Sequence, residues 1–193
     1  ELKEVDFEDL LGRSEVEANQ GLLDKNIKNK IVLVTGAGGS IGSEIARQVL
    51  KNKAKKLILL DSNEFSLYKI KEEIGNGPGL SVYSVLADIK DEKRILDVCK
   101  AFEIETIYHA AAYKHVPLVE ENPFEGIRNN IFGTLSCVNA AINSNVKTFV
   151  LVSSDKAVRP TNIMGATKRF AEIILQSIAS DPYNRIDTKM SMV

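Results

Sequence analysis

The chain has 193 residues and a formal net charge of −1 at pH 7, with 44% hydrophobic and 26% charged residues. These values are ordinary for a folded globular domain with a sizeable core, and they exclude an intrinsically disordered chain. The near-neutral charge argues against a nucleic-acid partner. No apolar run reaches the roughly 20 residues that span a bilayer and no signal peptide is visible, so we expect a soluble, cytoplasmic protein.

The first 29 residues are polar with scattered leucines, and we expect them to form an N-terminal arm or linker ahead of one domain over residues 30–193. Residues 1–13 suit either a short helix or an extended arm. Cys99 and Cys137 have neither a metal nor a redox spacing, which favours buried, reduced thiols in helices.

The chain is organised around the stretch IVLVTGAGGSIGSEIAR at residues 31–47. Ile31–Val34 is a short, mostly β-branched run that favours a buried strand, and Ser40–Leu50 has the apolar stripe of a helix. A glycine-rich turn between a strand and a helix is the context of a dinucleotide-binding fingerprint, with the pyrophosphate at the helix N-terminus. A tight turn without a ligand is the alternative.

The glycines of this turn have separate expected tasks. Gly36 permits a tight turn after the strand. Gly38 and Gly39 lack Cβ and so let N–H groups approach a pyrophosphate, whereas Gly42 lets the helix pack closely. The cofactor-binding residues predicted in the turn are Gly36, Gly38, Gly39, Ser40, Ile41 and Gly42.

Further apolar strands alternate with helical patterns along the rest of the chain. This alternation predicts a Rossmann-like, doubly wound parallel α/β sheet whose ligands bind at the carboxyl ends of the strands. The expected later strands are residues 57–60, 80–86, 106–110 and 147–153, with the start of another at 189–193. The expected later helices are residues 65–74, 90–102, 123–143 and 161–178.

Two aspartates follow strands of this sheet. Asp61 lies 25 residues after Gly36, close to the roughly 20 expected of the carboxylate that bonds the adenosine ribose. No arginine follows it directly, which favours NAD over NADP, although Arg47 is a candidate for a 2′-phosphate. Asp88 is a candidate contact for the adenine. Each aspartate is alternatively a helix N-cap.

Small and polar residues follow the later strands. We predict that Ile89, Ala110, Ala111 and Ala112 line the cofactor site, because small side chains let a cofactor lie flat. Lys114 suits a phosphate or substrate contact, or is simply solvated. The histidines, His109 and His115, have no metal spacing, so we predict no metal site and favour structural or solvated roles. Asn130 either bonds backbone near the active site or belongs to a solvent-facing pair with Asn129.

Six motifs in order resemble the extended short-chain dehydrogenase/reductases and, more narrowly, the CapD-like nucleotide-sugar 4,6-dehydratases of polysaccharide and glycan biosynthesis. The motifs are TGAGGSIGSE, LILLD, HAAAYKHVPLVE, NNIFGT, VSSDKAVRPTN and MGATKR. The resemblance implies a UDP-sugar substrate, typically UDP-N-acetylglucosamine. It is oxidised at C4 by bound NAD(P)+, loses water across C5 and C6, and regains hydride at C6.

The resemblance also implies roles for residues after the fifth strand. Asp155 matches the acid for the departing 6-hydroxyl and Lys156 the base at C5, with a pKa lowered by desolvation and by neighbouring Lys168. Ser154 polarises the C4 oxygen. Lys168 also matches the lysine that binds the nicotinamide ribose, and on residues alone Asp155 and Lys156 are a loop ion pair.

Met164 occupies the position where most short-chain dehydrogenases carry the catalytic tyrosine of Tyr-x-x-x-Lys. Methionine has no titratable proton, so the C4 hydroxyl proton needs another acceptor. We hypothesise that Asp155 takes it through Ser154 or a water. The predicted substrate-binding residues are Lys114, His115 and Asn130.

Family members continue beyond the length of this chain, so we expect the C-terminal substrate domain to be absent. The DLLGR at residues 9–13 resembles the linker of long members with an N-terminal transmembrane region, so we expect the parent protein to be membrane-anchored with this portion on the cytoplasmic side. A nucleotide-sugar epimerase on the same scaffold and a catalytically silent NAD-binding module are the alternatives. The helices at 123–143 and 163–179 suit pairing with a second copy in a homo-oligomer. Burial of their apolar stripes within one monomer explains them equally well.

Overall fold

The computed structural model describes residues 19–75, 81–181 and 186–193. Six strands form one sheet in the order β3-β2-β1-β4-β5-β6, and every pairing is parallel. This confirms the Rossmann-like doubly wound fold. The strands are β1 (Ile31–Thr35), β2 (Lys56–Asp61), β3 (Ser81–Leu86), β4 (Thr106–His109), β5 (Thr148–Leu151) and β6 (Lys189–Met192).

Helices connect the strands on both faces of the sheet. A π-helical turn (Arg128–Gly133) lies between α6 and α7, and a 3₁₀ turn (Asp155–Ala157) follows β5. The helices are α1 (Gln20–Asn26), α2 (Ser40–Lys51), α3 (Glu64–Ile74), α4 (Glu92–Phe102), α5 (Val116–Glu121), α6 (Pro123–Ile127), α7 (Thr134–Asn143) and α8 (Ile163–Ala179).

The core has two layers because the strands are apolar on both faces. Alternate residues of β1 belong to different layers: Leu33 packs with α4, α7 and α8, whereas Val32 and Val34 pack with α2 and α3. Cys99 and Cys137 are buried, unpaired thiols of α4 and α7 in the first layer, as predicted. The layers leave the carboxyl edge of the strands as the place where loops and helix N-termini converge.

Side-chain caps fix where several helices begin. Asn63, Asp91 and Asn162 each accept an N–H of the first turn of α3, α4 and α8. Helix α4 therefore begins at Glu92 rather than at the predicted Lys90. The sequence also missed α5, and the helix predicted over residues 123–143 is interrupted by the π-helical turn.

The described part of the predicted N-terminal arm packs against the domain. Ile27 is 2% exposed and lies in the core with α2 and α3. The Asn26 carbonyl accepts from Thr106 Oγ1 at 2.8 Å, and its side chain accepts from Thr148 at 3.2 Å. The expectation for residues 1–13 lies outside the described residues. Within the described ranges, no helix is both long enough and apolar enough to cross a bilayer.

Candidate cofactor and active site

The glycine turn after β1 is compact because the neighbouring backbone leaves no space for side chains. Gly36 has a φ of +66°, and a Cβ there would lie 2.7 Å from the Ala111 backbone. A Cβ at Gly42 would collide with the Gly36 carbonyl. Helix α2 begins with Gly39 as its N-cap and has no side-chain cap, so the N–H groups of its first turn are available to an anion.

Gly38 makes a contact that was not predicted. Its N–H donates to Asp61 Oδ2 at 2.9 Å rather than being free for a pyrophosphate, and its missing Cβ makes room for Ser66 of α3. Asp61 Oδ1 accepts from the Asn63 N–H at 2.9 Å. Because Asn63 caps α3, the alternative reading of Asp61 as that cap is wrong. Asp61 joins the glycine turn to the end of β2 and remains at the edge of the cleft.

A cleft of about 510 Å³ runs along the carboxyl ends of β1, β2 and β4. Seven predicted cofactor residues line it, and the sequence missed five others, among them Ser62 and Tyr113. The signal for those two was their position directly after predicted cofactor residues. The lining residues are Gly36, Gly39, Leu60, Asp61, Ser62, Ala87, Ile89, Ala110, Ala111, Ala112, Tyr113 and Asn129.

Asp88 does not cap α4. Its Oδ1 accepts from the Lys90 N–H at 2.9 Å, and its Oδ2 pairs with Lys90 Nζ at 3.1 Å. Asp91 caps the helix instead, so that alternative for Asp88 is wrong. Neighbouring Ile89 is buried and lines the cleft.

The loop after β4 brings a cation to the start of α2. Lys114 Nζ donates to Ser40 Oγ at 2.8 Å, which places its charge beside the open helix N-terminus. His115 is exposed at the N-cap position of α5 and lines a second groove of about 820 Å³, mainly apolar, which shares Ala112 and Tyr113 with the cleft. The Ile41 side chain faces another groove beside Tyr108, so only its backbone is placed to meet an anion in the turn.

Asn130 clamps this loop to the rest of the site. It is 1% exposed, its Oδ1 accepts from the Tyr113 N–H at 2.8 Å, and its Nδ2 donates to the Tyr113 carbonyl at 3.0 Å and to Thr167 Oγ1 at 2.9 Å. Asn129 Nδ2 also donates to Asn130 Oδ1. Both asparagines are buried, so the solvent-facing alternative is wrong. The predicted bonding of Asn130 to backbone is confirmed at Tyr113, and its contact with the substrate stays a prediction.

His109 is the structural histidine that the sequence favoured. Its Nδ1 lies 2.7 Å from Thr35 Oγ1 and its Nε2 lies 3.0 Å from Thr134 Oγ1. Since the Thr134 hydroxyl donates to the Asn130 carbonyl, it accepts from Nε2–H, and Nδ1 accepts from Thr35. Burial lowers the pKa of His109 to about 3, with a smaller contribution from the charge of Lys168.

The turn after β5 presents the predicted acid and base. Ser154 Oγ donates to Asp155 Oδ1 at 3.1 Å and accepts from the Lys156 N–H at 3.2 Å. Ser154 and then the charge of Lys156 hold the pKa of Asp155 below its usual value. A Cβ at Gly165 would collide with the Lys156 carbonyl, so this glycine lets the turn rest on α8. Both Asp155 and Lys156 are exposed.

Helix α8 contains the buried charge of the site. Lys168 is 7% exposed and its Nζ donates to the Val152 carbonyl at 2.8 Å. Burial lowers its pKa to about 8, and Glu172 opposes that shift. The desolvation expected of Lys156 thus falls on Lys168. Met164, at the tyrosine position, is 2% exposed. Glu172 and its partner Ser153 escaped the sequence analysis.

Comparison with known proteins places these features in context. The family described as "Polysaccharide biosynthesis protein" matches residues 32–193. The chain is 50% identical over 182 residues to the capsular polysaccharide biosynthesis protein CapD of Staphylococcus aureus, covering 93% of this chain and 30% of that protein. It is 34% identical over 140 residues to the UDP-N-acetylglucosamine 4,6-dehydratase (inverting) of Campylobacter jejuni, covering 72% of this chain and 40% of that protein.

The fold is also that of a solved structure. The UDP-glucose 4-epimerase of Bifidobacterium longum in complex with NAD+ and UDP superposes with a TM-score of 0.71 at 24% identity, covering 84% of this chain and 52% of that one. The chain thus spans about a third to a half of these proteins. Over residues 19–75, 81–181 and 186–193, no group of three or more His, Cys, Asp or Glu side chains is arranged to hold a metal ion.

Proposed function

The chain belongs to the polysaccharide biosynthesis protein family, and we propose that it is the cofactor-binding part of a UDP-N-acetylglucosamine 4,6-dehydratase. The observation that carries this proposal is the Ser154–Asp155–Lys156 turn, which rests on α8 beside Lys168 at the same sheet edge as the glycine turn. A simple C4 epimerase has little use for an acid and a base placed for elimination. The 34% identity to a C. jejuni dehydratase supports the same reaction.

The cleft fits NAD by its shape and by its charges. The turn at Gly36 and Gly42 holds the uncapped N-terminus of α2 open to a pyrophosphate, and Lys114 adds a positive charge beside it. Asp61 lines the cleft, and in this proposal its carboxylate binds the ribose hydroxyls. Bound NAD+ supplies the reversible acceptance of hydride. A carboxylate at Asp61 disfavours the 2′-phosphate of NADP.

Arg47 gives little support to the NADP alternative. Its guanidinium donates to Glu73 at 2.6 and 3.0 Å and to Glu44 at 3.0 Å. These bonds engage the side chain between α2 and α3. A 2′-phosphate would have to displace at least one of the two carboxylates.

The proton from the C4 hydroxyl has a path that needs no tyrosine. Asp155 is ionised at neutral pH, because Ser154 and Lys156 lower its pKa. It takes the C4 hydroxyl proton through the Ser154 hydroxyl. The acid so formed then protonates the 6-hydroxyl, which leaves as water. One proton therefore moves from O4 to O6, and Asp155 returns to its carboxylate form.

Lys156 handles the C5 proton in this proposal. The neutral amine removes the C5 proton made acidic by the C4 ketone. The resulting ammonium group exchanges its protons with solvent and then delivers a solvent-derived proton to C5 after elimination. Lys156 is exposed in this chain, so we propose that the bound sugar desolvates it. The cationic form of Lys168 lies beside this chemistry and contacts the nicotinamide ribose. Lys114 and His115, on the adjoining groove, contact the UDP-sugar.

The test is turnover of UDP-N-acetylglucosamine with NAD+ in D2O, using protein extended to the length of its relatives. We expect a product that has lost water and carries deuterium at C5. The Asp155→Asn variant should lose C4 oxidation by about 100-fold or more, read as transient NADH absorbance. Asp97→Asn, which removes an exposed carboxylate paired with Lys93 on α4, is the matched control. Full C4 oxidation in Asp155→Asn would overturn the proton path.

An epimerase is the second candidate, because a solved NAD+ complex with this fold is a UDP-glucose 4-epimerase. It predicts a product of unchanged mass with inverted configuration at C4. Deuterium at C5 together with loss of water excludes it. The same mass spectra and NMR spectra therefore decide between the two reactions.

A homo-oligomer is part of the proposal. The helices expected to pair with a second copy bury one side, including Ala171 and Leu175, and expose Phe124, Phe170 and Ile173 on the other. Both explanations given for their apolar stripes thus apply to different faces. Light scattering after gel filtration, with Phe170→Lys as the disrupting variant, tests this arrangement. We also keep as proposals the cytoplasmic location and a membrane anchor in the parent protein.

A further inference from the structure

Glu172 is a buried carboxylate that the proposed chemistry leaves without a role. It is 9% exposed on α8, one helical turn after Lys168. Its Oε1 accepts from Ser153 Oγ at 2.5 Å, and its Oε2 pairs with Arg169 Nη1 at 2.7 Å. Both carboxylate oxygens are therefore used, and neither partner is a residue of the proposed acid and base pair. Buried acids are retained when they are paired in this way.

The contacts of Glu172 and Lys168 join α8 to two successive residues after β5. Lys168 donates to the Val152 carbonyl, and Glu172 accepts from the next side chain, Ser153. The Ser153 N–H also donates to the Val193 carbonyl at 2.6 Å. Ser153 is thus fixed immediately before the turn that carries Ser154, Asp155 and Lys156. A shift of Ser153 would move that whole turn relative to α8.

Among the charged groups around Lys168, Glu172 is the buried carboxylate, one helical turn along α8. On α8, Arg169 is engaged by Glu172. From β4, His109 is buried and neutral. From the turn after β5 come Asp155 and Lys156, both exposed to solvent that screens them. Glu172 is the group that opposes the effect of burial on Lys168.

We propose that Glu172 is a positioning residue, which fixes the Ser154–Lys156 turn through Ser153 and acts as the buried countercharge of Lys168. That the turn is catalytic rests on the proposed function. The two physical effects do not, since both exist in the protein without substrate. They are therefore measurable whether or not the dehydratase reaction is correct.

The test is the Glu172→Gln variant, which keeps the size of the side chain and an oxygen to accept from Ser153 but removes the charge. We expect the Lys168 titration, followed by NMR of its side-chain Cε and Nζ, to move from a pKa of about 8 to lower pH by on the order of one unit. We also expect the amide protons of Ala157 and Val158, which bond to the Ser154 and Asp155 carbonyls, to exchange about fivefold faster, because a neutral amide oxygen accepts from Ser153 more weakly than a carboxylate does.

Glu73→Gln is the matched control, because it removes a carboxylate paired with an arginine at an exposed place far along α3. It should change neither measurement. Ser153→Ala separates the two effects: exchange should quicken while Lys168 titrates as before. It also replaces Glu172→Gln if that variant fails to fold. Glu172→Asp should restore the Lys168 titration.

An unchanged Lys168 titration in Glu172→Gln would overturn the countercharge, and unchanged exchange at Ala157 and Val158 in Ser153→Ala would overturn the positioning. In turnover, Glu172→Gln should lower kcat with little change in KM for the UDP-sugar. Absent turnover in the unmodified protein would contradict the proposed function alone. The titration and exchange results would stand in that case.

Discussion

The two halves of the site differ in the chemical groups that form them. The cleft at the ends of β1, β2 and β4 is made of backbone and small side chains, with Gly36 and Ala111 in close approach. The region between β5 and α8 is made of charges, with Lys168 and Glu172 buried side by side on the helix. The first half, which we call the shape half, depends on close steric fit. The second half, which we call the electrostatic half, depends on interactions between buried charges.

This difference determines how each half should respond to change. The shape half is disrupted when an atom is added, at any pH, because the neighbouring backbone has no space into which it can move. The electrostatic half is disrupted when one of its groups gains or loses a proton, so its contribution to stability depends on pH. Experiments that add volume and experiments that vary pH should therefore separate the two regions.

The largest effect is expected from Gly36→Ala. The new methyl group would lie 2.7 Å from the Ala111 backbone at a φ of +66°, so we expect a loss of about 3–4 kcal/mol of stability from strain and overpacking together. NAD+ binding should fall below detection by calorimetry. Gly75→Ala is the matched control, because Gly75 has a φ of +59° with nothing within 4 Å. It should lose about 2 kcal/mol, from backbone strain alone, and equal losses at both positions would show that the close approach is unimportant.

The next largest effect concerns acid. His109 has a pKa of about 3 in the folded protein and about 6.5 when unfolded. As the pH falls below 6.5, His109 binds a proton in the unfolded chain but stays neutral in the folded chain. The free energy of unfolding therefore decreases. From pH 7 to pH 4 the protein should lose about 3 kcal/mol more than His109→Gln, which retains an acceptor for Thr35 and a donor for Thr134. Urea denaturation at both pH values measures the difference, and parallel curves would contradict it.

Lys168 should give a dependence of the same sign at alkaline pH. Its pKa is lowered to about 8 in the folded state, against about 10.4 when unfolded. Below pH 8 both states are charged and burial of the charge is fully unfavourable. As the pH rises to about 10.5 that cost disappears, so stability should rise relative to Lys168→Met. The gain from pH 7 to pH 10 should be about 2 kcal/mol, and its absence would mean that Lys168 is solvated.

The shape half could be predicted from the sequence because its signals are local. A strand, a glycine turn and a helix follow one another within residues 31–47, and Asp61 ends the next strand. Alternating strands and helices then predict the parallel sheet and the edge at which these features meet. Even here the sequence did not predict the bond from the Gly38 N–H to Asp61, which joins residues 23 apart.

The electrostatic half could not be predicted in the same way. Motif resemblance singled out Asp155, Lys156 and Lys168, but which lysine is buried depends on how α8 packs on β5. The interruption of the predicted helix at Asn129 and Asn130 also depends on distant partners, because Asn130 bonds Tyr113 and Thr167. Burial and long-range hydrogen bonds are properties of the packed chain, and the periodicity of apolar residues in the sequence does not predict them.

The smallest effect is expected at Asp61, a charged side chain within the shape half. This carboxylate belongs to the cleft, and its oxygens accept from the Gly38 and Asn63 N–H groups at 2.9 Å each. Asp61→Asn keeps the shape but can accept at only one of these positions, so we expect about 1 kcal/mol of lost stability. Removing the negative charge should also raise the affinity for NADP+ relative to NAD+ by roughly tenfold, since one charge no longer opposes the 2′-phosphate. Titration calorimetry with both cofactors measures the ratio, and Asp97→Asn on the exposed face of α4 controls for a change in net charge. An unchanged ratio would mean that the cleft selects its cofactor by shape alone. Charge would then matter only in the electrostatic half of the site.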